Sequence, residues 1–224
     1  MLTVNEFTDF ASLSDTVATK WLDLAVATPE NQPCSFALAG GTTPAPIYRQ
    51  FNTLLAARKS RHIQLLATDE RWVPDTDPQS NEGLFRQCFA SSAAHWNLVS
   101  LKNGQPAPAD AIADIDGRLK QECPDPFTAV ILGMGTDGHI ASLFPDAPHL
   151  LNKDIHTSCV AAVNPASQQA RMSLSFGRLL NSNTIWLVIT GAEKRAVLDL
   201  ASKTYAGPIG ALLAAADVEV FWCP

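Results

Sequence analysis

The sequence predicts an α/β protein: a mostly parallel, doubly wound (Rossmann-like) sheet flanked by helices, in one domain over residues 1–224. Two observations predict it. Short apolar, partly β-branched runs alternate with segments of helical period, which is the pattern of repeated strand–helix units. Three of those runs end in glycine-bearing turns, near residues 40, 133 and 191, so that all three can share the carboxyl edge of one sheet. Ligands of open α/β sheets bind at that edge.

Leu13, Val17, Trp21 and Leu24 recur at spacings of four, four and three, an apolar stripe that predicts a helix ending before Pro29. Cys34 to Ala39 is the first central strand, and it runs into Gly40-Gly41-Thr42-Thr43-Pro44. Ile47, Phe51 and Leu54 mark the next helix, with Pro44 near its first turn, where a missing N–H costs little. Strand, glycine turn and helix N-terminus together offer free N–H groups, a positive dipole end and threonine hydroxyls to an anion. Gln64 to Thr68 is a further strand, entering a loop from Asp69-Glu70-Arg71-Trp72-Val73-Pro74 to Ser80-Asn81. The Ser80 and Asn81 side chains can cap the helix that carries Leu84, Phe85 and Cys88. Asn103 to Asp110, rich in Pro, Ala and Gly, reads as a surface loop. Ile112, Ile115 and Leu119 follow as a helix ending before Pro124.

Thr128 to Leu132 is apolar enough to be buried on both faces. Gly133, Gly135 and Gly138 follow at once, with Asp137 and His139 set among them. A carboxylate two residues from an imidazole can orient it, and His139 then becomes a candidate general base. Further on, Thr157 to Val163 and Met172 to Ser175 read as strands, with Arg171 just before the second. Thr184 to Ile189 is a buried strand that meets Thr190-Gly191-Ala192-Glu193-Lys194 at the start of a helix carrying Val197 and Leu198. A lysine in a first turn opposes the helix dipole, which suggests an anion beside Lys194. Val218 to Trp222 is the last strand.

Composition excludes several classes. Hydrophobic residues make up 46% and charged residues 17% of the 224, as in ordinary globular proteins and unlike disordered ones. A net charge of -6 argues against a nucleic-acid binder, though a few local cations still suffice for one phosphate. The five cysteines form no Cys-x-x-Cys pair and predict reduced thiols. No apolar run approaches the ~20 residues that span a bilayer, and the first residues lack a signal-peptide pattern. A cytoplasmic protein with no membrane partner is the expectation. His139 has no second histidine at ligand spacing, so nothing requires a metal or other cofactor. No Gly-x-Ser-x-Gly elbow marks a serine nucleophile.

Leu132-Gly133-Met134-Gly135-Thr136-Asp137-Gly138-His139-Ile140-Ala141-Ser142-Leu143-Phe144-Pro145 resembles the signature shared by the 6-phosphogluconolactonases and the glucosamine-6-phosphate deaminases. Gly40 to Pro44 resembles the lactonase phosphate loop, and Asp69-Glu70-Arg71-Trp72-Val73-Pro74 with Ser80-Asn81 resembles a third block. The resemblance runs from Ala39 to about Lys194. Deaminases carry Asn-Glu-Pro where this chain has Leu143-Phe144-Pro145, and a phenylalanine cannot relay a proton. The resemblance therefore implies a lactonase that hydrolyses a phosphorylated sugar lactone without a cofactor. It further implies His139 as general base, Asp137 as its support, and Gly40, Gly41, Thr42, Arg71, Arg171 and Lys194 as holders of phosphate and sugar. An amino-sugar-phosphate deaminase and a non-catalytic sugar-phosphate sensor are the alternatives. Oligomeric state is not legible.

Overall fold

A computed structural model describes residues 1–57 and 62–224. In chain order its elements are strand β1 (Leu2–Glu6), helix α1 (Phe10–Ala27), β2 (Ser35–Leu38), α2 (Ala45–Ala56), β3 (Ile63–Ala67) and β4 (Asp69–Arg71). There follow α3 (Asn81–Cys88), β5 (Trp96–Leu98), α4 (Pro108–Glu122), β6 (Ala129–Leu132), β7 (Cys159–Val163) and β8 (Ala170–Leu174). The chain closes with α5 (Phe176–Leu180), β9 (Ile185–Thr190), α6 (Ala192–Thr204), α7 (Gly207–Ala215) and β10 (Val218–Cys223).

Among the described residues, seven strands form one parallel sheet in the order β1-β10-β9-β6-β2-β3-β5. The expected parallel α/β sheet is therefore present. From β2 the chain steps outward through β3 to β5, whereas from β6 it steps the other way through β9 to β10. The order reverses between β2 and β6, so their carboxyl ends splay apart into a crevice. Every side chain of β2 and of β6 is buried, as strands covered on both faces require.

Helix α1 begins where the Asp9 side chain accepts from Ser12 N–H, and the chain turns out at Thr28 ahead of Pro29. Its Trp21 is fully buried and stacks on Phe51 of α2 at 3.6 Å, with Phe36 and Phe89 edge-on to it. Each fully buried phenylalanine here contributes roughly 1.5–3 kcal/mol, which fastens α1 and α2 to the sheet. Helix α2 thus has a rigid seat, and its N-terminus points to the crevice. All five cysteines are buried. No helix among the described residues is long and apolar enough to cross a membrane.

Several elements differ from the sequence reading. Residues 69–71 form a strand rather than a loop, pairing antiparallel with β8, which pairs in turn with β7. This small sheet stands as a wall beside the crevice. Arg171 lies inside β8 rather than ahead of it. The surface loop after Asn103 ends early, because α4 already begins at Pro108, a residue favoured at the first helical position.

Candidate active site

Three of the loops that leave the carboxyl ends of the parallel strands meet over the crevice, beside two strands of the small sheet. The loop after β2 brings Gly40, Gly41 and Thr42, and the loop after β6 brings Gly133, Gly135 and His139. The start of α6, after β9, brings Lys194, while β4 and β8 bring Arg71 and Arg171. Together they line a cleft of ≈ 320 Å³. Seven of the eight site residues expected from sequence face it, and the eighth, Asp137, stands behind His139.

Asp137 Oδ1 takes a bond from His139 N–H at 3.1 Å and lies 2.6 Å from His139 Nδ1. Burial works to raise the Asp137 carboxyl, but the hydrogen bonds from the His139 amide and ring outweigh it and hold it below its ordinary value. An ionised carboxylate can only accept, so Nδ1 carries the proton it shares with Asp137, and in the neutral ring Nε2 then holds the lone pair. Gly135 makes this geometry possible: a Cβ there would overlap both the His139 ring and the Asp137 carboxylate. The His139 ring packs against buried Phe144, with ring centroids 4.9 Å apart.

The opposite wall is cationic. Arg71 and Arg171 are directly opposed in the β4–β8 register. Like charges so placed repel unless an anion answers them. One anion is built in: Arg171 Nη1 donates to Asp69 Oδ2 at 3.2 Å, and Ser142 Oγ donates to the same oxygen at 2.5 Å. Burial lowers the Arg171 pKa, and the Asp69 charge only partly restores it. Arg71 Nη1 donates to Gln79 O and Asn81 Oδ1. The Nε atoms of both arginines are buried and have no hydrogen-bond partner among the described residues. Lys194 enters no ion pair among the described residues.

The floor of the glycine loop after β2 is pinned by Tyr48, whose hydroxyl donates to Ala39 O at 2.6 Å. Gly41 adopts φ 99°, a left-handed conformation that suits glycine. Among the described residues no side chain caps α2, and Pro44, which lines the cleft, occupies its N-cap.

Sequence reasoning gave no role to Asp69 or Ser142 and expected Asn81 only as a helix cap. Their signal was present in part, since a strand's two-residue period puts Asp69 and Arg71 on one face. Asn81, expected as a cap, instead bonds Asp69 O and Arg71, while the Ser80 side chain caps α3 as expected.

With this geometry in place, comparison with known proteins gives a consistent answer. Residues 8–222 match the family of glucosamine-6-phosphate isomerases/6-phosphogluconolactonase. A 6-phosphogluconolactonase of Caulobacter vibrioides is 36% identical over 89% of this chain and 87% of its own length. One from Mesorhizobium japonicum is 35% identical over 98% of this chain and 94% of its own. The crystal structure of a 6-phosphogluconolactonase from Shewanella baltica superposes with a TM-score of 0.88 at 30% identity, covering 100% of this chain and 98% of that one. The chain belongs to the glucosamine-6-phosphate isomerase/6-phosphogluconolactonase family, and within it to the 6-phosphogluconolactonases.

Proposed function

We propose that the protein hydrolyses 6-phospho-D-glucono-1,5-lactone to 6-phospho-D-gluconate, the second step of the oxidative pentose phosphate pathway. The observation that carries this reading is one cleft with an Asp137-held His139 on one wall and two opposed arginines on the other. His139 Nε2 takes a proton from water as its oxygen bonds to the lactone carbonyl carbon. The tetrahedral intermediate then collapses, the bond from that carbon to the ring oxygen breaks, and the imidazolium returns the proton to the departing oxygen. Asp137 stays ionised throughout and stabilises the imidazolium. Gly40, Gly41 and Thr42 at the α2 N-terminus, with Arg71, Arg171 and Lys194, hold the phosphate and sugar. Arg171 also serves as a brace, because Asp69 already answers its charge.

Phe144 speaks against the deaminase chemistry of the same family. It is 1% exposed and packs on the His139 ring where a proton-relaying glutamate would be needed. Purified protein should therefore accelerate hydrolysis of freshly made phosphorylated lactone above its spontaneous rate, and release no ammonia from glucosamine 6-phosphate. Ammonia release without lactone hydrolysis would reverse the assignment, and binding of 6-phosphogluconate with neither reaction would make the protein a sensor.

A further inference from the structure

We infer that Glu70 is the positioning residue that holds Arg71 and Asn81 against the phosphate end of the cleft. This rests on the reading above, in which Arg71 meets the substrate's phosphate. In β4 the two-residue period turns Glu70 away from the cleft, to the side opposite Asp69 and Arg71. There it is fully buried, and both of its oxygens are saturated with donors. Oε1 accepts from Arg71 N–H at 2.7 Å and Asn81 N–H at 2.9 Å. Oε2 accepts from Glu82 N–H at 2.7 Å and Ser80 Oγ at 3.0 Å, with Lys102 Nζ at 3.5 Å.

Asn81 and Glu82 open α3, so the Glu70 carboxylate sits on the positive end of that helix and bolts it to β4. The helix is already capped without it, since Ser80 Oγ accepts from Gly83 N–H at 3.0 Å. Burying a charge costs several kcal/mol before its partners repay it, and an ordinary cap needs no such group. Here a second buried carboxylate stands close by: burial and the Glu70 charge push Glu82 up to about 6. Lys102, which also bonds Asp75 at 2.6 Å and Val73 O at 3.0 Å, partly neutralises the cluster.

What the cluster accomplishes is registration. With Glu70 fixing the start of α3, Asn81 Nδ2 donates to Asp69 O at 2.6 Å and Asn81 Oδ1 receives Arg71 Nη1 at 3.0 Å. Asn81 lies so close to Gly40 that a Cβ on that glycine would overlap its amide. One buried carboxylate thus sets the distance between the arginine on β4 and the phosphate loop after β2.

The test is a double-mutant cycle on 6-phosphogluconate binding, measured by calorimetry for wild type, Glu70→Gln, Arg71→Ala and the double variant. Glutamine keeps the shape but turns an NH₂ toward N–H donors. Glu70→Gln should weaken binding about ten-fold with Arg71 present and less than about two-fold in the Arg71→Ala background, the coupling of residues that act through each other. Turnover at saturating lactone should stay within about two-fold, because the His139–Asp137 pair belongs to the other wall. Equal losses in both backgrounds, or none in either, overturn the inference alone. If Arg71→Ala leaves affinity unchanged, the phosphate reading of Arg71 fails first and this inference with it. Should Glu70→Gln not fold, Glu70→Asp keeps the charge, withdraws its oxygens by one methylene, and goes through the same cycle.

Discussion

Replacing His139 by asparagine is expected to lower kcat by ~10²–10⁴-fold, the usual contribution of a positioned general base. KM and the unfolding midpoint should change little. His139 sits on a loop after β6 with part of its side chain in solvent, and its partners are Asp137 and the face of Phe144. The core and the cationic wall lie elsewhere. Asp137→Asn should also cut kcat, since an amide can present its NH₂ to Nδ1 and favour the wrong tautomer. Because the folded Asp137 carboxyl is held below its ordinary value, the pair adds stability above the normal carboxylate range. That stability is lost as pH falls through the depressed value. Near-normal kcat in His139→Asn ends the general-base proposal, and a variant that unfolds makes His139 a structural residue.

The parallel sheet was legible because its central strands are buried on both faces, and an apolar run such as Ile185–Thr190 has no other plausible use. The elements that escaped were those whose environment is mixed. Leu2–Glu6 is a half-exposed edge strand with polar residues, and Trp96–Leu98 is only three residues long. Helix α7 is apolar nearly all round and begins Gly207-Pro208, which reads as a break rather than a first turn. At the site, the glycine loops and His139 were visible because glycine and histidine stand out locally. The Asp69–Arg171–Ser142 contact could not be read, since it joins residues 102 and 73 positions apart. Neither could the Glu70 cluster, where an acid–acid–base triplet looks like a solvated turn until α3 is folded onto it.

That hidden contact separates the two cations that sequence alone treated alike. Arg171 is 9% exposed and Asp69 6%, and they share one ion pair. Arg171→Ala leaves Asp69 buried with only the Ser142 hydroxyl for company among the described residues, and breaking such a pair costs about 3–5 kcal/mol. At roughly 2–4 °C per kcal/mol for a chain of this size, the melting temperature should drop by about 6–20 °C. Lys194 has the opposite energetics. It occupies the first turn of α6, where the dipole disfavours a cation by roughly 0.3–1 kcal/mol, and it enters no ion pair among the described residues. Lys194→Ala should therefore leave the melting temperature unchanged or slightly raised. Its loss falls on binding instead: charge-assisted bonds to a phosphate are worth ~1.5–3 kcal/mol, so KM for the phosphorylated lactone should rise about ten-fold or more. Unphosphorylated gluconolactone should barely register the change. If Lys194→Ala slows both lactones equally, the lysine does not read phosphate. If Arg171→Ala melts like wild type, Asp69 has found another partner and the brace reading of Arg171 is wrong.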